Sequence, residues 1–232
     1  DEAVAAAKQH ILDTLGDKIE LSFVKAFRDG GSGSWSKGAV KNSIRLALNG
    51  DVLGTAYHES MHEFFDILGK HGGESTQVML KRVAGNKIIL RKLSRLLEGH
   101  AEAQAQLSDP EEALTYMYQF WKAGTLSLAP ETQSWFQKIE GYIRNTLGML
   151  SEEMKAMKDM AMVDDIFKAF DNGVFADESH RSMMVEIINR DVEKREAIEK
   201  AVGEKWNTIV GKAGKFVLSA ESVIEAASNK YM

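Results

Sequence analysis

The chain has 232 residues, 44% hydrophobic and 27% charged, which is enough length and apolar content for a real core and excludes wholesale disorder. A net charge of −5 weighs against a nucleic-acid-binding surface. With no cysteine, disulfides and thiolate metal sites are excluded, and no apolar run reaches the roughly 20 residues that span a bilayer.

The opening "DEAVAAAKQH" has neither an initiator Met nor a signal-peptide layout, so either an artificially chosen start or a cut piece of something larger is expected. "DEAVAAAKQHILDTLG" is Ala-rich with apolar residues at helical spacing, and Gly16 is its stop. "KIELSFVKAF" alternates as a strand, with Ile19, Leu21 and Phe23 on one face. "RDGGSGSWSKG" reads as a flexible turn region, and no GK[ST] follows its glycines to make a phosphate loop. "NSIRLALNG" is a second strand, closed by Asn49-Gly50. Asp51 then caps a helix that runs through "TAYHESMHEFFDIL" to Gly69 or to the pair Gly72-Gly73.

From there almost everything reads helical. "ESTQVMLKRVAG" and "NKIILRKLSRLLEGHAEAQAQ" are amphipathic, and "DPEEALTYMYQFWKAG" has an Asp cap, Pro110 at its first position and Gly124 at its end. "APETQSWFQKIEGYIRNTLGML" and "SEEMKAMKDMAMVDDIFKAFDNG" carry capping signatures of their own. Residues 177–232 are helical in pattern, and the charge-dense "NRDVEKREAIEKAVGEKW" is read as a solvated face rather than a partner-binding arm. His10 and His180 are expected at the surface. Met149, Met154, Met157, Met160 and Met162 are expected in helix packing, and Trp121, Trp135 and Phe136 in the core. The fold class is α+β: a small N-terminal β-sheet, one central helix, and a mostly helical C-terminal half.

The central helix carries the chemistry. His58-Glu59-x-x-His62 places two imidazoles one turn apart on one face, where both can hold one ion, typically Zn2+ at about 2.0–2.1 Å. The ion lowers the pKa of a water, and Glu59, beside the first ligand, takes its proton as general base. Composition alone gives this pattern in about one such chain in seventy, as a surface His pair on an amphipathic helix. The context argues otherwise, because Leu53, Ala56, Tyr57, Phe64, Phe65, Ile67 and Leu68 surround the motif. Two histidines and a glutamate among such neighbours need partners, and a metal supplies them.

A catalytic zinc takes three protein ligands and leaves one position open. After His62 the chain reads "EFFDILGKHGG", and His71 falls nine residues on, where a metzincin has its third histidine at six. Glu112, opening the "DPEEALTYMYQFW" helix, is the leading third ligand. Asp109-x-x-Glu112 is equally a capping box, and Glu111 forms another with Ser108. Glu111, Glu63, Asp66, Glu98 and His100 therefore stay open as ligands. Tyr116 and His100 are the candidates for stabilising a developing oxyanion.

"GTAYHESMHEFFDIL", followed by "PEEALTYMYQFWKAGTL" and "TQSWFQKIEGYIRNTLGML…FKAFDNGVF", resembles the zincin-type metallopeptidase domains of very large phage polyvalent proteins. The resemblance covers about residues 15 to 176. It implies a zincin-like domain over 1–176 and a helical C-terminal extension over 177–232. The E-A-L-T-Y-M-Y-Q-F order is also similar to the helix on which gluzincins present their third ligand, which favours Glu112 over Glu111. It departs from that pattern at Thr115, where alanine is usual. The resemblance implies a zinc peptidase with Glu59 as general base and a protein or peptide substrate, including the rest of a larger phage polyprotein. It also implies a soluble protein in a phage virion or injected into the host cytoplasm, with neither nucleic-acid nor membrane partners. The rival expectation is a structural or ejection module of a virion, with a non-catalytic metal site or no metal.

Overall fold

A computed structural model describes residues 2–28, 30–128 and 152–212. Three strands form one small sheet: β1 (Glu20–Val24), β2 (Gly33–Ser36) and β3 (Ser43–Ala47). Their order is β1-β3-β2, with β1 parallel and β2 antiparallel to β3. In β3 the alternation works as the pattern requires, since Ile44 and Leu46 are fully buried while Arg45 points to solvent. Leu21 and Phe23 of β1 stand opposite Ile44 and Leu46, so both strands turn their apolar face the same way.

The edge strand β2 lies inside the stretch expected to be a turn. Its Gly and Ser residues carry almost no strand preference of their own, so pairing with β3 and the burial of Trp35, opposite Ile44, decide the conformation. Gly33 brings the strand close to the helix side chains. A Cβ there would stand 2.7 Å from a Glu59 carboxylate oxygen, because β2 lies directly against the central helix.

That helix, α2, spans Val52–Lys70. Asp51 caps it by accepting from the Gly54 amide at 2.9 Å. The chain leaves through Gly72, at φ 80°, and the Gly73 amide closes the end on the Leu68 carbonyl at 2.7 Å. α1 (Glu2–Leu15) packs on one side of α2, and a 3-10 turn from Gly16 to Lys18 leads into β1. Next come α3 (Glu74–Ala84), α4 (Lys87–Leu96), α5 (Ala101–Gln106) and α6 (Pro110–Lys122). The single amphipathic stretch expected from residue 86 to 106 is broken into α4 and α5 where Gly99 takes φ 89°. α6 crosses both α2 and α3. α7 (Glu152–Asp171) and α8 (Glu178–Lys212) complete the described elements.

Behind α2 the core is aromatic. Phe64 meets Phe170 and Phe175 at ring distances of 4.8 and 5.0 Å, and Tyr118 of α6 meets Phe167 and Phe170 at 5.1 and 5.3 Å. α8 is tied in through Arg181, whose buried guanidinium donates to the carbonyls of Phe175 (2.7 Å) and Leu15 (2.6 Å). Further along α8, Asn189 accepts from the backbone amide of Thr76 at 3.0 Å, and Glu196 meets Arg82 at 3.0 Å. Among the described residues no helix is long and apolar enough to cross a membrane.

His180 is exposed beside Asp177, as expected. His10 is not at the surface. It is 8% exposed, bonded to the Ser60 hydroxyl at 3.1 Å and edge-on to Tyr57, because the helix it sits on turns that face toward α2. Trp121 is half-buried, its indole N–H on Asp164 at 2.7 Å. Met160 and Met162 pack against the core. Trp135, Phe136 and Met149 lie outside the described residues, as do the side chains of Met154 and Met157.

Burial, and secondarily the nearby Lys122, push the His10 pKa down to about 4 against opposition from Asp171 and Asp13. Between about pH 4 and its ordinary 6.5, His10 is therefore neutral in the fold and gains a proton on unfolding. Its contribution is complete above that value and is lost as the pH falls toward 4. Urea unfolding of His10→Gln beside wild type, both with chelator, is expected to show a shallower loss of stability across that window. The difference should be on the order of 2–3 kcal/mol. Parallel losses in the two proteins would contradict a buried neutral imidazole.

Candidate metal centre

His58 and His62 lie one turn apart on α2 and are largely shielded, with side chains 12% and 14% exposed. α6 brings the Glu112 carboxylate between them. One oxygen stands 3.2 Å from His58 Nε2 and the other 3.4 Å from His62 Nε2. The three donor atoms lie within 4.8 Å of one another. Four ligands at about 2.0–2.1 Å around a tetrahedral zinc stand roughly 3.3 Å apart, so the two His–Glu separations are of the size that could hold an ion. Two neutral imidazoles and one carboxylate suit zinc chemically as well.

The local sequence explains how Glu112 is freed for this. Asp109 caps α6 by accepting from the Glu111 amide at 2.8 Å, and Pro110 takes the first helical position. The reciprocal half of the capping box is not made, because the Asp109 amide donates to the Gln106 carbonyl at 2.9 Å instead. The apolar face of α6, with Ala113, Leu114, Met117 and Tyr118, is buried, which fixes its first turn over the histidine pair. A carboxylate in that turn also sits favourably at the helix N-terminus.

Glu111, weighed in sequence as a rival for the same place, is brought to the other edge of the His62 ring. Its carboxylate is 3.5 Å from His62 Nδ1 and 3.2 Å from the Lys81 ammonium. Such a carboxylate orients an imidazole and fixes which nitrogen is left for a metal. Burial alone would lower the His62 pKa, but Glu111, Glu112 and Glu59 together hold it above the ordinary value. Glu111 is held low first by its bond to His62 and then by Lys81, against burial. Glu112 is held low first by its bond to His58.

Glu59 is 7% exposed and lies against β2. Burial raises its pKa, opposed in part by the two histidines and by the Trp35 backbone. Tyr116 sets its ring edge-on to His58 at 4.6 Å and donates its hydroxyl to Gln106 at 2.7 Å. Burial first, then Glu112 and Glu59, push its pKa up to about 12, so it keeps its proton. His100 is exposed in the turn between α4 and α5, and Glu98 is exposed beside it.

Glu63 and Asp66 face β2 rather than the histidine nitrogens. Glu63 accepts from the Trp35 indole at 2.8 Å and from Asn42 at 2.6 Å, while Asp66 is paired with Lys37 at 2.7 Å and with Lys70. These bonds hold the Trp35 indole nearly parallel to the His62 ring, 23° between planes at 6.2 Å. A recess of about 350 Å3 opens there, lined by Trp35, Phe65, Gln77 and Glu111 beside His62. Trp35, Asn42, Lys81 and the Thr115 hydroxyl belong to this surrounding without having been singled out as site residues. Trp35 left a trace in the sequence as a lone large side chain in a Gly/Ser run, and Thr115 as the departure from the gluzincin-like helix pattern.

Comparison with family models, with curated proteins and with solved structures gives no match.

Elemental analysis after zinc loading is expected to give about one ion per chain for wild type and none for His58→Ala or Glu112→Ala. Zinc retained in Glu112→Ala would remove Glu112 from the ligand set. Glu111→Gln should keep the stoichiometry and weaken zinc binding by about tenfold, read by chelator competition.

Proposed function

We propose that this chain is a zinc-dependent peptidase of the zincin type that hydrolyses peptide bonds in a protein or peptide substrate. One observation carries the reading. Two histidines and a glutamate from another helix present a ready set of donors, with a buried carboxylate one residue from the first histidine. A zinc held by His58, His62 and Glu112 supplies a polarised substrate carbonyl and a water acidic enough to be deprotonated near neutral pH.

The chain's own groups do the rest. Glu59, with its pKa raised by burial, takes the proton of the attacking water on its carboxylate and returns it to the departing amide nitrogen. Glu111 holds the His62 ring from its Nδ1 side, leaving Nε2 for the metal. Tyr116 keeps its proton and gives it at present to Gln106 in an exposed bond, so the hydroxyl is free to turn toward an oxyanion. The recess beside His62 takes a substrate side chain between Trp35 and Phe65. A phage setting, in which the enzyme acts on host proteins or on its own polyprotein, rests on the sequence resemblance alone.

The test is hydrolysis of a peptide library by the zinc-loaded chain, read by mass spectrometry, with Glu59→Gln as the comparison. Glu59→Gln is expected to keep its zinc and to lose at least about 100-fold in kcat. Equal turnover by the two proteins would remove Glu59 as the base. Zinc bound with no cleavage by wild type would favour the structural module of a virion instead.

A further inference from the structure

We propose that the Thr115 hydroxyl is a fourth protein ligand of the metal site, a neutral oxygen beside His58, His62 and Glu112. The inference rests on the metal reading and extends it to a residue outside the HExxH pattern and its third ligand, the Glu112 carboxylate.

Thr115 is fully buried in α6, one turn on from Glu111 and three residues after Glu112. A buried hydroxyl has one proton to give and lone pairs to satisfy. The proton is spent inside the helix, on the Glu112 carbonyl at 2.7 Å. Only lone pairs remain to face outward, and what they face is His58 Nε2 at 3.0 Å. The Glu112 carboxylate faces the same nitrogen at 3.2 Å.

Nε2 therefore has two oxygen acceptors around it and at most one proton to share. A single N–H satisfies one of them well. An ion satisfies both, because a cation draws every lone pair around it. Once His58 is a metal ligand its Nε2 carries no proton, and two lone pairs then confront each other across 3.0 Å. That contact is favourable only with positive charge between them. The 3.0 Å separation also belongs with the 3.2 and 3.4 Å of the other pairs, close to the roughly 3.3 Å expected between neighbouring ligands of one zinc.

Charge favours the assignment too. A second carboxylate here would neutralise the ion and blunt its acidity, whereas a hydroxyl adds a bond without adding charge. A catalytic zinc that expands to five ligands in the transition state has room for the reacting water beside a fourth, neutral protein ligand.

The experiment compares wild type, Thr115→Val and Thr115→Ser, each checked for folding by circular dichroism. Zinc affinity is read by chelator competition, and the coordination shell by visible absorption of the cobalt(II)-loaded proteins. Thr115→Val keeps the shape and loses the oxygen. It is expected to bind zinc at least about tenfold more weakly and to alter the cobalt bands as one ligand is lost, while Thr115→Ser retains both properties. Thr115→Ala replaces the valine variant if valine does not pack. Unchanged cobalt bands in Thr115→Val, with or without weaker binding, would overturn the assignment, since a residue that merely props the His58 ring leaves the shell intact. Failure of wild type to take up either metal would instead overturn the metal reading, and this inference with it.

Discussion

Polar groups on the buried side of α2 have to be answered from outside the helix, and the surrounding elements are placed to answer them. Imidazoles and carboxylates shut away from water cost several kcal/mol each unless partnered. His58 and His62 are met by Glu112 and Glu111 from α6, Glu59 by the strand β2, Glu63 by Trp35 and Asn42, and His10 by Ser60. The helix end that supplies the carboxylates is itself fixed by Asp109 and Pro110, so the answer depends on a cap made before the first turn begins.

The sheet contributes less by its size than by its edge. β2 is four residues long and would not hold alone. It is kept in place by β3 on one side and, on the other, by the hydrogen bond from Trp35 into Glu63, a residue next to His62 that Asn42, just before β3, also meets. Trp35 thereby joins the strand to the second histidine. The wall of the recess and the orientation of the His62 ring thus share one buried carboxylate, Glu63.

How much of this could be read from the sequence follows the range of the forces involved. Local signals carried well: Asp51 and Asp109 cap where their side chains permit, Gly16 and Gly124 end their helices with positive φ, and the alternation of β3 is real. The HExxH spacing brought its two histidines to one face, and Glu112 meets them because its alternative, a capping box, lost to the Gln106 carbonyl. What failed was decided by distant partners. β2 is a strand through pairing rather than propensity, and His10 is buried because α1 rotates onto α2. Glu111 was framed as a competitor because sequence spacing cannot show that two adjacent carboxylates straddle opposite edges of one ring.

The Arg181 link has a consequence for the order of assembly. The candidate donors His58, His62 and Glu112 lie within residues 58–112, so a growing chain has them early. The aromatic backing of α2 comes from Phe170 and Phe175, and the start of α8 is pinned to the Leu15 carbonyl only once Arg181 exists. Contacts of such long sequence separation form late and slowly. A nascent chain can thus carry the candidate donor residues of α2 and α6 before their support exists, and the backing of the site is completed only by residues 170–181.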